Sequence, residues 1–179
     1  MTPTHHTPDG GVLIGSDNAR RHLVVYEDPQ CPYCRQFEAA CGDLLRREVS
    51  AGAVSVEWRM RCFLGPESVR ACNALALAAE RGRFDDLHRV IFENQPQEAT
   101  GGFTADDLVK LGEVAGLVDA GYVDGVREGR YEAWVAATDE ALQHLDEQGT
   151  PYAVMDGRPV DPALLHDREA LGALIRGQG

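Results

Sequence analysis

The chain of 179 residues carries 29 acidic against 17 basic side chains, a net charge of -12, which argues against nucleic acid or an anionic membrane surface as a partner. Its 44% hydrophobic content is enough for one well-buried core, and its length calls for no second domain. No apolar run approaches the roughly 20 residues of a membrane-spanning helix, so membrane insertion is not expected.

Residues 1–10 show no periodicity and read as a mobile lead-in. Val12-Leu13-Ile14 is a short strand candidate, and His22 to Tyr26, apolar and β-branched, forms a buried strand that ends in the turn Glu27-Asp28-Pro29-Gln30. A helix starts at Cys31-Pro32-Tyr33-Cys34 and runs to about Val49. Pro32 suits a first helical position, and Phe37, Cys41, Leu44 and Leu45 share one face. From Val54 to Cys62 the pattern changes to period two, with Ser55, Glu57, Arg59 and Arg61 opposite the apolar side. Strand, helix and strand of these lengths imply a parallel pair.

Helical character then holds for roughly eighty residues: Ser68 to Arg81, Phe84 to Phe92, a helix opened by the capping box Thr104 and Asp107, Asp119 to Glu128, and Tyr131 to Glu147. The β pattern returns at Tyr152 to Met155. Asp156-Gly157 is a hairpin turn, and Arg158-Pro159-Val160 comes back as an edge strand, with a last helix from about Pro162 to Ile175. The division is a β-containing portion from 10–65 and 148–179, with 66–147 as a helical insertion, all in one domain spanning 1–179.

The chemistry rests on the two spaced cysteines. Two residues between thiols at a helix start leave the sulfurs about one turn apart, close enough to bond with little backbone movement. At that start, unpaired N–H groups and the helix dipole favour a thiolate on Cys31, the expected nucleophile. Cys34, one turn in, is the expected resolving thiol.

The run Val24-Val25-Tyr26-Glu27-Asp28-Pro29-Gln30-Cys31-Pro32-Tyr33-Cys34, the long helical stretch, and Gly149-Thr150-Pro151 before a strand together resemble the DsbA-like branch of the thioredoxin superfamily. The resemblance implies an α/β thioredoxin fold with a helical insertion and a nucleophile and resolving pair at Cys31 and Cys34, within the active-site motif that includes Pro32 and Tyr33. It also implies a cis-proline at Pro151 facing that pair, and at Thr150 a backbone that pairs with an extended substrate. Many members have a buried acid six residues before the nucleophile, where this chain has Val25. Glu27 and Asp28, nearer the motif, read as surface carboxylates, with the handling of Cys34's proton as the alternative.

Other residues carry blander readings. A zinc site needs a second cysteine pair, and Cys62 and Cys72 are nine residues apart across a strand-to-helix turn, so no metal is expected. Cys41, Cys62 and Cys72 lie on apolar faces as inert thiols, with a Cys62–Cys72 disulfide as the alternative. His88, His144 and His166 read as surface residues, and Trp58 and Trp134 as core. The functional expectation is a thiol–disulfide oxidoreductase that works through a mixed disulfide at Cys31 without a bound cofactor. Its partners would be thiol or disulfide substrate proteins, or low-molecular-weight thiols, and a redox recycling partner. The alternative is a non-enzymatic thioredoxin-fold module that binds peptides or acts as a chaperone at Thr150-Pro151. Residues 1–21 lack the apolar centre of a signal peptide, so the sequence reads as cytoplasmic; trimmed of a leader, it would be periplasmic or extracellular.

Overall fold

The computed structural model describes residues 3–178. Its sheet runs in the order β1 (Thr4–His6), β2 (Val12–Ile14), β4 (Val54–Met60), β3 (Arg21–Glu27), β5 (Tyr152–Met155), β6 (Arg158–Pro159). The central pair, β3 and β4, is parallel, with Leu23 opposite Val56 and Glu27 opposite Met60, and the remaining neighbours are antiparallel. Between them the chain is helical from Pro32 to Ser50: α1 (Pro32–Phe37), a π-helical stretch (Glu38–Gly42) and α2 (Asp43–Ser50).

The period-two pattern of β4 suggested one wet face, yet Val54 to Trp58 are buried without alternation. The strand lies in the middle of the sheet, and Ser55 and Glu57 on its polar side find partners: Ser55 Oγ lies 3.1 Å from His22 Nδ1, and Glu57 accepts from Arg59 at 2.8 Å. From Thr4 onward the lead-in is more ordered than its composition suggests, because β1 pairs with β2 from Thr4 opposite Ile14 to His6 opposite Val12; residues 1 and 2 lie outside the described residues.

In the insertion, α3 (Pro66–Ala79) packs against α4 (Phe84–Glu93), α5 (Ala105–Val114), α6 (Ala120–Glu128) and α7 (Glu132–Glu140). Its run from Ala71 to Ala79 is buried throughout, and the four alanines after Cys72 let neighbours approach closely. Thr104 and Asp107 form the capping box at the start of α5. The helix expected to continue to Glu147 instead stops at Glu140 and gives way to a 3-10 stretch (Gln143–Gln148). Carboxylates from both segments converge on the buried Arg61, Asp139 on Nε and Asp146 on Nη2 at 2.7 Å, and the tighter turn accompanies that convergence. The last helix is also split. A 3-10 turn (Pro162–His166) ends where Asp167 accepts from Glu169 N at 3.0 Å and Ala170 N at 2.9 Å, starting α8 (Arg168–Arg176) afresh.

One apolar cluster joins the sheet, α2, α8 and the insertion, and includes Leu23, Val56, Leu45, Leu171, Leu75, Leu87 and Leu108. Trp58 belongs to it, but Trp134 does not: it is 43% exposed, its ring edge-on to His6 and Tyr131. Within the cluster, α5 and α6 meet at Gly112, where an added Cβ would stand 2.3 Å from the Tyr122 ring, whose hydroxyl donates to Leu108 O at 3.0 Å. Gly112→Ala should therefore destabilise the protein by about 1–3 kcal/mol through overpacking, even though alanine favours a helix by up to ~1 kcal/mol. Urea unfolding of the variant checks this, and an increase in stability would refute it.

Candidate functional site

Strand β3 delivers the site. Its last residue, Glu27, and the turn after it are buried, and Cys31 is the N-cap of α1 with extended backbone angles (φ -68, ψ 118). A buried turn must have its polar groups satisfied, and here the insertion helps to satisfy them. Asp28 accepts from Ser68 Oγ at 2.5 Å, Gln30 N at 2.9 Å and Leu64 N at 3.1 Å. Gln30 Nε2 donates to Leu64 O and Ser68 Oγ, both at 3.0 Å, while its Oε1 accepts from Ala99 N at 3.1 Å. Gln95 Nε2 donates to Pro29 O at 2.8 Å and Cys31 O at 2.9 Å.

The two thiols of the motif sit in unequal surroundings. Cys31 Sγ lies 3.3 Å from the Thr150 carbonyl oxygen, and the Thr150–Pro151 peptide bond is cis. The Cys31 pKa is lowered to about 6, first by a hydrogen bond from the Cys34 thiol and then by the Thr150 side chain and the N–H groups of Cys34 and Tyr33, against the opposing effect of burial. Cys34 is fully buried, and its thiol is held well above its ordinary range by burial, by its bond to Cys31 and by the charge of Glu27. Tyr33, between them, is exposed, and Pro32 occupies the first turn of α1.

Behind the thiols lies a second constellation that sequence reasoning missed. Glu27, read above as a surface carboxylate, is fully buried, and its Oε2 lies 2.9 Å from Nε2 of His88, itself fully buried in α4. The His88 ring packs against Trp58, Phe84 and Phe92, with centroids 4.5, 5.3 and 4.9 Å away. Its other nitrogen, Nδ1, is 3.9 Å from Glu38 Oε2 in the π-helical stretch, and Glu38 Oε2 in turn accepts from Arg46 Nη2 at 3.3 Å. Burial, Glu38 and Cys31 push Glu27 well above the carboxylate range, and burial raises Glu38 to about 7 despite Arg46. Burial and the Arg46 charge hold His88 well below its ordinary value, so the ring is neutral. Asp28 is also buried rather than on the surface, raised to about 6 by burial against the pull of its hydrogen bonds.

A signal for both missed residues was present in the sequence. Phe84, Leu87, His88 and Ile91 share one helical stripe, as do Glu38, Cys41 and Leu45. Each polar residue therefore lies on the face its neighbours bury. Donor atoms of Glu27, Glu38 and His88 lie within 4.8 Å of one another, so this triad, although no metal was expected, is where a cation could be gathered among the described residues. His144 and His166 are exposed.

The remaining cysteines are free thiols, each near a carbonyl: Cys41 at 3.5 Å from Leu165 O, Cys62 at 3.9 Å from Val135 O and Cys72 at 3.4 Å from Arg61 O. Burial raises Cys41 to about 11 and Cys62 to about 12, and holds Cys72 well above the thiol range.

A thioredoxin family model matches residues 7–176. Among curated proteins, the Na(+)/H(+) antiporter NhaA 3 of Salinispora tropica is 28% identical over 153 residues, covering 84% of this chain but only 22% of the antiporter. Among solved structures, reduced DsbG, a disulfide bond oxidoreductase of Mycobacterium tuberculosis, is 26% identical with a TM-score of 0.74, covering 97% of this chain and 83% of its own. BdbD of Bacillus subtilis (19% identity, TM-score 0.79, covering 93% and 91%) shares the fold. So does MdbA, a thiol-disulfide oxidoreductase of Corynebacterium diphtheriae (18%, 0.79, covering 98% and 93%). Among the described residues no helix is long and apolar enough to cross a membrane.

The unequal thiols make two predictions. Brief iodoacetamide treatment of the reduced protein should label Cys31 alone, with a rate that rises about a midpoint near pH 6. Mass spectrometry of the labelled sites checks this, and equal labelling of Cys34 would contradict it. Between pH about 6 and 9 the folded reduced protein binds fewer protons at Cys31 than the unfolded chain, so the Cys31 contribution to stability rises with pH across that window. Denaturation of the reduced protein at several pH values should show that contribution lost in Cys31→Ser.

Proposed function

The chain belongs to the thioredoxin family, and from that premise we propose that it is a thiol–disulfide oxidoreductase whose working couple is Cys31 and Cys34. The observation that carries the reading is the unequal pair: a Cys31 thiol with a pKa near 6 beside a Cys34 thiol held protonated. A pKa near 6 leaves Cys31 roughly nine-tenths thiolate at neutral pH, the form that attacks disulfides. The likeness to solved oxidoreductases of the same fold supports the same reaction class.

In the forward step the Cys31 thiolate attacks a disulfide sulfur of the substrate, forming the Cys31 mixed disulfide and releasing one substrate thiolate. Cys34 then gives up its proton, its sulfur attacks Cys31 Sγ, and the second substrate thiolate leaves as the Cys31–Cys34 disulfide closes. Glu27, buried and coupled electrostatically to this thiol, can receive that proton only in its ionised form, which its burial disfavours. The 3.3 Å between the Thr150 carbonyl and Cys31 Sγ supports the reading that an extended substrate aligned on Thr150 and Pro151 would lie within reach of the nucleophile. Substrates of this kind are proteins or low-molecular-weight thiols, and a second redox protein or thiol pool resets the couple. Electrons are held by the two sulfurs, so the reading invokes no bound cofactor. A peptide-holding role without chemistry leaves the depressed Cys31 pKa without a use.

Stabilising the Cys31 thiolate stabilises the reduced form, which makes the disulfide more oxidising. The compartment and the recycling partner set the direction: a reducing cytosol would favour reductase work, and an oxidising space outside it would favour oxidase work. The wild type should reduce insulin with dithiothreitol, or oxidise reduced ribonuclease, whereas Cys31→Ser should be inactive and Cys34→Ser should accumulate the mixed disulfide. Full activity in Cys31→Ser would overturn the reading. Equilibration against a glutathione series gives the potential, and with it the favoured direction.

A further inference from the structure

We propose that Arg61 is a positioning residue for substrate: through Asp146 it holds the Thr150 segment where an extended chain can pair with it beside Cys31. The inference rests on the exchange reading of Cys31 and Cys34 and on the pairing role given above to Thr150. What it adds is the device that keeps that segment in place.

Arg61 follows β4 directly and, at 1% exposure, is the largest of the fully buried side chains among the described residues. A guanidinium is stable in such a place only where carboxylates meet it. Here Nε donates to Asp139 Oδ1 in α7, and Nη2 donates to Asp146 Oδ1 at 2.7 Å in the 3-10 stretch. The Phe63 ring covers the guanidinium, its centroid 5.0 Å from Cζ. The main chain of Arg61 is tied as well: its N–H donates to Glu27 O at 2.6 Å, and its carbonyl accepts from Cys72 Sγ at 3.4 Å.

These contacts set one residue between the two segments that must meet at the site. Glu27 stands four residues before Cys31, and Asp146 four residues before Thr150. The path from Asp146 to Thr150 is short and defined. Gly149 N donates to Asp146 O at 3.2 Å, and a left-handed φ of 66° at Gly149 turns the chain out of the 3-10 stretch. Beyond Pro151 the chain is fixed again, with Tyr152 of β5 opposite Tyr26 of β3. The Thr150 peptide thus hangs between the sheet on one side and Arg61 on the other. Among the described residues, hydrogen bonds from the side chains of 143–149 stay within their own turn except at Asp146. With both anchors in place, the Thr150 carbonyl rests 3.3 Å from Cys31 Sγ.

Arginine suits this task better than lysine. Its planar fork presents Nε and Nη2 in fixed directions, so carboxylates from two separate segments are held at a set angle, which a flexible point charge does not achieve. The two carboxylates differ in their surroundings: the Asp139 side chain is 13% exposed and that of Asp146 58%. Asp139 therefore fixes the guanidinium, and the guanidinium fixes the more open Asp146. General stabilisation of the fold is the competing use of the bridge.

Asp146 is the place to separate these uses, because Arg61 keeps Asp139 as a partner when Asp146 is removed. The full-length reduced protein is given two disulfides with the same chromogenic aromatic thiol as leaving group. One is the small symmetric aromatic disulfide; the other is an extended peptide whose central cysteine carries that thiol. In each case the Cys31 thiolate bonds to one sulfur, the original S–S bond breaks, and the aromatic thiolate leaves with the electron pair. Asp146→Ala should raise the half-saturating peptide concentration by about fivefold or more. It should leave the saturated rate, and attack on the small disulfide, within about twofold of wild type, the pattern of lost substrate binding. Asp146→Asn, which keeps an acceptor for Nη2, should recover part of the peptide affinity. Unchanged half-saturation in Asp146→Ala would overturn the proposal, as would equal slowing with both disulfides, which is the mark of a generally loosened fold. Attack by the wild type on the small disulfide without saturation by the peptide would overturn it too, by removing the pairing role of Thr150. Absence of attack on the small disulfide by the wild type would overturn the exchange reading, and the positioning role with it.

Discussion

The buried polar turn from Asp28 to Cys31 is the constraint on which the rest of the structure depends. Its peptide groups lie out of water, so each must find a partner inside the protein. Those partners come largely from the strand-to-helix connection after β4, from the start of α3 and from the loop after α4. The insertion is therefore part of how the site is held, and Gln95, more than sixty residues away in sequence, grips both the carbonyl before the motif and that of its first cysteine. With the turn fixed, the start of α1 is fixed. The contrast between the two thiols then follows from position alone, because one faces the Thr150 segment and the other faces inward.

The same burial accounts for the electrostatics. Two carboxyl groups and an imidazole share a dry volume, where charge is expensive and like charges repel. Glu27 and Glu38 are accordingly pushed towards their neutral forms, and His88 is held neutral. An interior of this kind does little for stability. Its net effect is that the uncharged form of each of the three groups is favoured.

Much of the fold could be read in the sequence, because its signals are local. The capping box at Thr104 and Asp107, the hairpin at Asp156-Gly157 and the helix opened by Pro32 each depend on residues within one turn of each other. Cys31 and Cys34 were legible for the same reason. The failures needed tertiary knowledge. Glu27 and Asp28 sit in a polar-looking turn, and only the covering insertion turns them from surface carboxylates into buried ones. His88 and Glu38 each lie on an apolar helical stripe, but neither stripe says that the two meet. The broken helix after Glu140 depends on Arg61, nearly eighty residues earlier in the chain, which gathers two carboxylates that local periodicity treats as solvent-facing.

The sheet edges carry a different consequence. One outer strand, β6, spans only Arg158–Pro159, and the other, β1, only Thr4–His6, with His5 and His6 exposed. A proline offers no N–H for pairing, and strands this short give an incoming chain few bonds. A long, unpaired edge would be a template for any exposed strand that met it. Blunted margins leave the rim of this sheet a poor seed for aggregation.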